Sequence, residues 1–369
     1  MTDTHKDGRR EPGMIDTLRT DIGRGDFFHS VRREIAETRE FLLDEQRRQR
    51  LGEMNILKRF FLTAWWMLKG MFFRLTPVRR LLFVIGLILI GMSRTVIYDG
   101  GDVRVGTDTN VFGIVCIVLV LMLELKDKLL AKEELEAGRA VQDALAPPRS
   151  PQLPGWKLWL YTRSANDVGG DLVDFIGLGD GKAGLVLGDV AGKGLRAALL
   201  MAKLQATVRA LAGDFASLSE MAEKINRIFC RDSLKNIFAS MVYIEMTPGS
   251  GRLRLVNAGH FPPVVVRERE IETLEKGGAA LGLTTEAGYT EQEIDLVSGE
   301  VLCAYSDGVC EAQNIAGDFF GEDRIREILR RTAGRPVDLA GTELVNVVDR
   351  FVGEAKRRDD LTLIIISRD

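Results

Sequence analysis

Residues Pro147–Gly155 read PPRSPQLPG, and no regular helix or interior strand runs through such a segment. Each proline removes a backbone N–H and fixes φ. The break separates two unlike halves of a 369-residue chain that is long enough for two or three domains. Upstream lie apolar and charged helical patterns; downstream lie short apolar stretches punctuated by glycine and aspartate.

Residues 1–25 are polar and Gly-rich, a composition that buries too little apolar surface to order itself. They hold no apolar leader segment. Phe27 to Arg50 reads as a charged helix with a ragged apolar stripe (Phe27, Phe28, Val31, Ile35, Phe41, Leu42). The aromatic stretch Phe60–Leu75 holds Trp65 and Trp66 between basic residues, which suits a helix lying in a membrane interface. Two apolar runs of 13 residues follow, Leu81–Ser93 and Val111–Leu123. At ~1.5 Å per residue each covers about 20 Å, short of the ~30 Å hydrocarbon core. Thr95–Tyr98, Thr109, Asn110 and Leu125 would lengthen them, and Arg79, Arg80 and Arg94 could snorkel. Basic residues before the first run and after the second (Lys58, Arg59, Lys69, Arg74, Arg79, Arg80; Lys126, Lys128, Lys132) predict a hairpin with both ends in the cytoplasm. The expectation is therefore a multi-pass cell-membrane protein whose N-terminus and C-terminal domain are cytoplasmic, the alternative being a pair of core helices. The Arg94–Asn110 connection is too short for a folded sensor domain.

Lys126–Leu145 carries a near-heptad seam of Leu130, Ala137, Val141 and Ala144, interrupted by Glu134 and weakened by Gly138. It predicts a helical linker through which a second copy could pair as a homodimer. The expected organisation is a polar and helical N-terminal region (1–58), a membrane region (59–125, with spans at about 79–97 and 109–125), a helical linker (126–150) and a C-terminal domain (151–369).

The net charge of −3 argues against a nucleic-acid partner. Cys116, Cys230, Cys303 and Cys310 form no CxxC pair and the three histidines are scattered, so zinc is not expected and the cysteines read as free thiols.

In the C-terminal half, strand patterns fall at Lys157–Thr162, Leu172–Leu178, Ala183–Val190, Phe238–Met246, Arg252–Val256, Pro263–Arg267, Glu291–Val297, Val301–Ala304 and Leu361–Ser367. Helical patterns fall at Lys193–Ala212, Leu218–Cys230, Glu322–Arg331 and Val337–Gly353. Hairpin-like strand pairs and adjacent helix pairs predict an α+β class, with antiparallel sheets covered by helices.

Four acidic clusters stand at strand ends or beside small residues: Asp171 in VGGD, Asp189 in LGDVAGKG, Asp307 in YSDG, and Asp359 with Asp360 in RRDDLT. Glycine beside a carboxylate, as at Gly170 and Gly308, lets backbone approach closely. Four ionised carboxylates gathered at one sheet rim repel one another unless a cation neutralises them. All-oxygen ligation selects hard ions, Mg2+ or Mn2+. Two such ions ~3.5–4 Å apart lower the pKa of a bridging water and orient it for in-line attack on phosphorus.

The ordered set VGGDLVDF, GDVAGKGLRAALLMA, NAGHFPPVV, LGL, AYSDGVCEA, FGEDRI and DDLTLIII, spanning about Gly155 to Arg368, resembles the type 2C metal-dependent Ser/Thr protein phosphatases in their bacterial stage II sporulation protein E branch. The GGD is not followed by the Glu-Phe of a diguanylate cyclase. The resemblance implies a four-layer αββα sandwich with two metal ions at one edge. It implies Asp189 as ligand to both, Asp171 and Asp307 completing the set, Asp359 on the second ion, and the Val190 carbonyl as a further ligand. Asp360 is the lesser of its pair, because family members often carry asparagine there. Lys193 is read as a phosphate contact or a solvated helix-start residue. Asp174 either orders a water at the metals or faces solvent. Asn257 and His260 are read as stabilising a turn before Pro262 and Pro263. Arg163 does not match the phosphate-gripping arginine of eukaryotic relatives in spacing, which leaves that role unassigned. The implied activity is hydrolysis of phosphoserine or phosphothreonine in a protein, with an anti-sigma-factor antagonist as substrate class. A tethered pseudophosphatase and a small-molecule phosphatase are the alternatives.

Overall fold

The structure is a computed structural model that describes residues 55–92, 110–232, 237–268 and 270–369. The charged helix expected at Phe27–Arg50, the extension Thr95–Tyr98, Arg94 and Thr109 lie outside the described residues. The chain divides into two units, Met1–Lys128 and Leu129–Asp369.

In the first unit, α1 (Ile56–Arg74) ends where Leu75 and Thr76 turn extended ahead of Pro77, the first residue of α2 (Pro77–Gly91). The third helix, α3 (Asn110–Leu145), begins here with Asn110–Lys128. Gly86 of α2 and Gly113 of α3 meet closely: a Cβ on Gly113 would fall 2.7 Å from the Gly86 carbonyl. Arg79 fixes the same pair through Glu124 (2.7 Å) and Asp127 (2.6 Å).

These helices correct the membrane reading. Among the described residues, no helix is long and apolar enough to cross a membrane. The 15 residues of α2 rise about 22 Å at ~1.5 Å each. The 36-residue α3 is long, but its apolar run ends at Glu124, and Lys126, Asp127 and Lys128 follow at once. The expected transmembrane hairpin, and with it the multi-pass cell-membrane placement, is overturned on that ground.

The second unit is a sandwich of two five-stranded antiparallel sheets. The first contains β1 (Trp156–Arg163), β6 (Val264–Arg267), β7 (Glu270–Thr273), β9 (Val301–Tyr305) and β10 (Leu361–Arg368), in the order β1-β10-β9-β6-β7. The second contains β2 (Asp171–Gly179), β3 (Lys182–Val190), β4 (Ala239–Met246), β5 (Arg252–Ala258) and β8 (Glu291–Asp295), in the order β2-β3-β4-β5-β8. Helices α4 (Leu195–Leu211) and α5 (Leu218–Asp232) cover the second sheet; α7 (Glu322–Thr332) and α8 (Val337–Val352) cover the first, and α6 (Asp307–Cys310) is a single turn.

Strand periodicity explains the layers. On β10, Ile364 and Ile366 enter the core between the sheets, whereas Leu361, Leu363 and Ile365 face α7 and α8. On β4, Val242, Ile244 and Met246 point inward, and Ala239, Met241 and Tyr243 face α4 and α5. Both faces of the central strands are buried, which accounts for runs such as LTLIII without polar alternation. The αββα expectation is met. The nine strand patterns and four helical patterns each coincide with an element, within two or three residues at the ends.

Candidate metal centre

Antiparallel pairing puts the start of one strand beside the end of its neighbour. In the second sheet this pairs Asp171, the first residue of β2, directly with Asp189 near the end of β3. In the first sheet it brings the end of β9, paired as Tyr305 to Leu363, beside the start of β10. Asp307 follows β9 by two residues and Asp359 precedes β10 by two. Ser306 N–H donates to the Thr362 carbonyl (3.0 Å), and Thr362 N–H returns to Ser306 Oγ (3.1 Å), closing that corner. Thr162 and Thr362 hydroxyls meet at 2.9 Å across β1 and β10.

The electrostatics report the crowding. Burial, then Asp189 and Asp360, hold the Asp171 carboxyl well above the usual range, and the Thr362 and Ser306 hydroxyls pull partly back. Asp189 is pushed up to about 7, by burial first and then by Asp307, Asp359 and Asp360. Asp307 is raised by burial and by Asp359. Such raised carboxylates are a strained, cation-seeking arrangement.

Among the described residues, no three His, Cys, Asp or Glu side chains already converge as a finished ligand set. The fit to hard cations rests on two other observations. Asp171 Oδ2 is buried without a hydrogen-bond partner. A Cβ on Gly170 would fall 3.2 Å from the Val190 carbonyl and 3.6 Å from Asp189 Oδ1, so the glycine leaves both oxygens uncovered. The donors are all oxygen, as Mg2+ or Mn2+ prefers.

Lys193, in the loop before α4, donates to Asp359 Oδ2 (3.0 Å) and to the Arg358 carbonyl. It contacts the acidic edge itself rather than standing apart in solvent. Gly308 lies under the β10 start: a Cβ there would fall 1.9 Å from the Asp360 carbonyl.

One expectation changes, for Asp174, and the contacts of Arg163 and Asp360 agree with their readings. Asp174 neither faces solvent nor points at the acidic edge. Three residues beyond Asp171, it lies on the opposite face of β2, fully buried, where Arg209 of α4 binds both its oxygens (2.6 and 2.8 Å). Arg163 grips Asp349 through two nitrogens (3.0 and 2.6 Å), so its guanidinium is committed to structure. Asp360 accepts three backbone N–H groups, from Ala165 (2.7 Å), Gly170 (2.7 Å) and Asp171 (3.3 Å). The Asn257–His260 turn is as expected: Asn257 Oδ1 accepts His260 N–H (2.8 Å). His260 is buried against Ser240 Oγ (2.6 Å), and burial lowers its pKa to about 4, so it stays neutral.

Sequence reasoning missed Gln142. From the Leu129–Leu145 part of α3 it donates to the Gly169 carbonyl (2.9 Å) and accepts Gly169 N–H (3.1 Å). No local signal marks a glutamine on a charged helix for that duty.

The family described as Stage II sporulation protein E matches residues 179–369. Protein IcfG of Synechocystis sp. is 27% identical over 267 residues, 64% of this chain and 42% of that protein. The phosphoserine phosphatase RsbU of Bacillus subtilis is 24% identical over 242 residues, 64% of this chain and 70% of that protein. The chain thus spans less than half the length of IcfG. Among solved structures, the SiaA-PP2C domain of Pseudomonas aeruginosa shares the fold, with a TM-score of 0.56 at 19% identity, covering 66% of this chain and 99% of that one.

Proposed function

Because the chain belongs to the stage II sporulation protein E family, we propose that it is a metal-dependent protein-serine/threonine phosphatase. The observation that carries this is the edge where burial and neighbouring carboxylates raise the proton affinity of Asp171, Asp189 and Asp307, with Asp359 among those neighbours, while Asp171 Oδ2 has no partner. Asp171, Asp189, Asp307, Asp359 and the Val190 carbonyl would hold two divalent cations, Mg2+ or Mn2+. Such ions lower the pKa of a water and align it for in-line attack on phosphorus.

The chain's own residues divide the remaining work. Gly170 keeps the Val190 and Asp189 oxygens uncovered. Lys193 places one positive charge at Asp359, partly balancing that carboxylate, and would be available to an incoming phosphate. His260 is buried against Ser240 Oγ and is kept neutral by that burial.

The substrate reading is a phosphoprotein of the anti-sigma-factor antagonist class, supported by family membership and by RsbU, a phosphoserine phosphatase, among the relatives. A pseudophosphatase would not need the full carboxylate set.

The test is release of phosphate from a phosphoserine protein in the presence of Mn2+. Asp189→Asn and Asp307→Asn should each lower kcat at least 100-fold, the scale of an essential electrostatic or metal-ordering group. Unchanged rates in both would remove the assignment.

A further inference from the structure

Asp360 follows a carboxylate assigned to the metals, yet its own surroundings are those of a residue that binds backbone. It is only 6% exposed. Its Oδ1 accepts Ala165 N–H, and its Oδ2 accepts both Gly170 N–H and Asp171 N–H. Ala165 and Gly170 lie on the β1–β2 connection, and Asp171 is the residue it delivers at the start of β2. Asp360's main chain is engaged as well: its N–H donates to Asp359 Oδ1 (3.0 Å) and its carbonyl accepts Ser306 Oγ–H (3.3 Å). That carbonyl also fills the space where a side chain on Gly308 would stand. One residue therefore touches the segments carrying Asp171, Asp307 and Asp359.

We propose that Asp360 is not a metal ligand but a positioning residue. It clamps the Ala165–Asp171 backbone to the start of β10 and so sets where the Asp171 carboxylate sits relative to Asp307 and Asp359. The inference rests on the metal-centre reading above. With three backbone N–H groups facing it in this chain, the acceptor count favours aspartate here over the asparagine that relatives often carry. A carboxylate offers two acceptor oxygens, and an asparagine offers one together with two N–H donors. Turned either way, an asparagine would face its NH2 toward a backbone N–H, either that of Ala165 or those of Gly170 and Asp171. A donor facing a donor in a buried site leaves both without partners. With Oδ2 saturated by two N–H groups, that oxygen has no lone pair left for a cation.

The test uses the full chain and three readouts. Mn2+ binding is followed by calorimetry for affinity and for ions bound per chain. Amide hydrogen exchange is followed at Gly170 and Asp171. Phosphoprotein hydrolysis is measured with Mn2+ and substrate varied separately. Outer-shell partners of ligands are worth roughly 10- to 100-fold in metal affinity. Asp360→Asn should therefore weaken Mn2+ binding about tenfold or more with the number of ions unchanged. It should accelerate exchange at Gly170 and Asp171, and raise the Mn2+ concentration for half-maximal rate while leaving KM for the phosphoprotein in place. A merely structural loss would lower the amount of active protein without moving the Mn2+ half-saturation. Loss of one bound ion per chain would make Asp360 a ligand and overturn the proposal, as would unaltered exchange and affinity. If Asp360→Asn does not fold, the unmodified chain decides: rapid exchange at Gly170 and Asp171 refutes the clamp, and slow exchange at both supports it. If the unmodified chain binds no Mn2+, the metal reading fails on its own, and the exchange data still judge the clamp.

Discussion

Replacing Asp189 with asparagine should stabilise the metal-free protein above neutral pH, although the same change abolishes its proposed activity. The Asp189 carboxyl is raised from 3.8 to about 7, chiefly by burial and then by Asp307, Asp359 and Asp360. The folded chain thus holds this proton more tightly than the unfolded chain does. The stability it contributes is complete below pH 3.8 and is lost as pH rises toward 7 and beyond. At 1.36 kcal/mol per tenfold change in acidity, the full difference corresponds to about 4 kcal/mol. Asp189 is only partly buried, and solvent screening reduces the recoverable part to about 1–3 kcal/mol. The raised Asp171 and Asp307 add to the loss in the same direction. Asp232 and Asp349, whose arginine partners lower them, change state below 3.8, but His260, held down to about 4 by burial, adds stability from pH 5 to about 6.5 in the opposite direction, so Asp189 is isolated by comparing variant with unmodified protein at each pH. The assay is urea unfolding of the chain in EDTA at pH 5 and pH 8. The advantage of Asp189→Asn over the unmodified protein should grow from pH 5 to pH 8, with an unchanged m-value. Adding Mn2+ at 100 times its Kd should return about 2.7 kcal/mol to the unmodified protein and much less to the variant. The reasoning is refuted if Asp189→Asn is the less stable protein at pH 8 without metal, or if its advantage over the unmodified chain does not grow between pH 5 and pH 8.

Two further expectations follow from packing. Arg209→Ala strands the fully buried Asp174 carboxylate, and removing one partner of a buried pair costs roughly 3–5 kcal/mol. Part of Arg209 is exposed, so we expect about 2–4 kcal/mol by urea unfolding, with Mn2+ stoichiometry unaltered; a loss under 0.5 kcal/mol would deny Asp174 a structural role. Gly308→Ala places a Cβ 1.9 Å from the Asp360 carbonyl, which forces the backbone apart at the acidic edge. Overpacking of this kind costs about 1–3 kcal/mol, and phosphate release should fall by at least tenfold; full activity would show that the contact relaxes freely.

The sandwich was legible in the sequence because its strands alternate with glycine- and proline-marked turns and its helices carry clean apolar faces. β7, with the sequence EIET, was not, since an edge strand with Ile271 as its lone apolar residue carries no pattern of its own. Of the site, the four strand-end carboxylates were readable from their order and neighbours. The role of Asp174 was in principle readable too, as an odd offset from Asp171 places it on the other face of β2. Asp360 and Gln142 were not, because each acts on backbone far away in sequence, at Gly170 and Gly169. The membrane hairpin failed for a different reason. Flanking residues and snorkelling arginines were expected to make up for two short apolar runs, and α2 and the apolar part of α3 are both too short.

The two sheets are interleaved along the chain, and this settles what any piece of the protein can inherit. Asp171 and Asp189 come from the second sheet, and Asp307 and Asp359 flank strands of the first. A cut anywhere between β5 and β6 divides the carboxylates two and two. Neither fragment retains a reduced version of the centre. The centre belongs to the assembled whole, so each separated fragment should be inactive in the proposed reaction, and only re-association of the two could restore the four carboxylates.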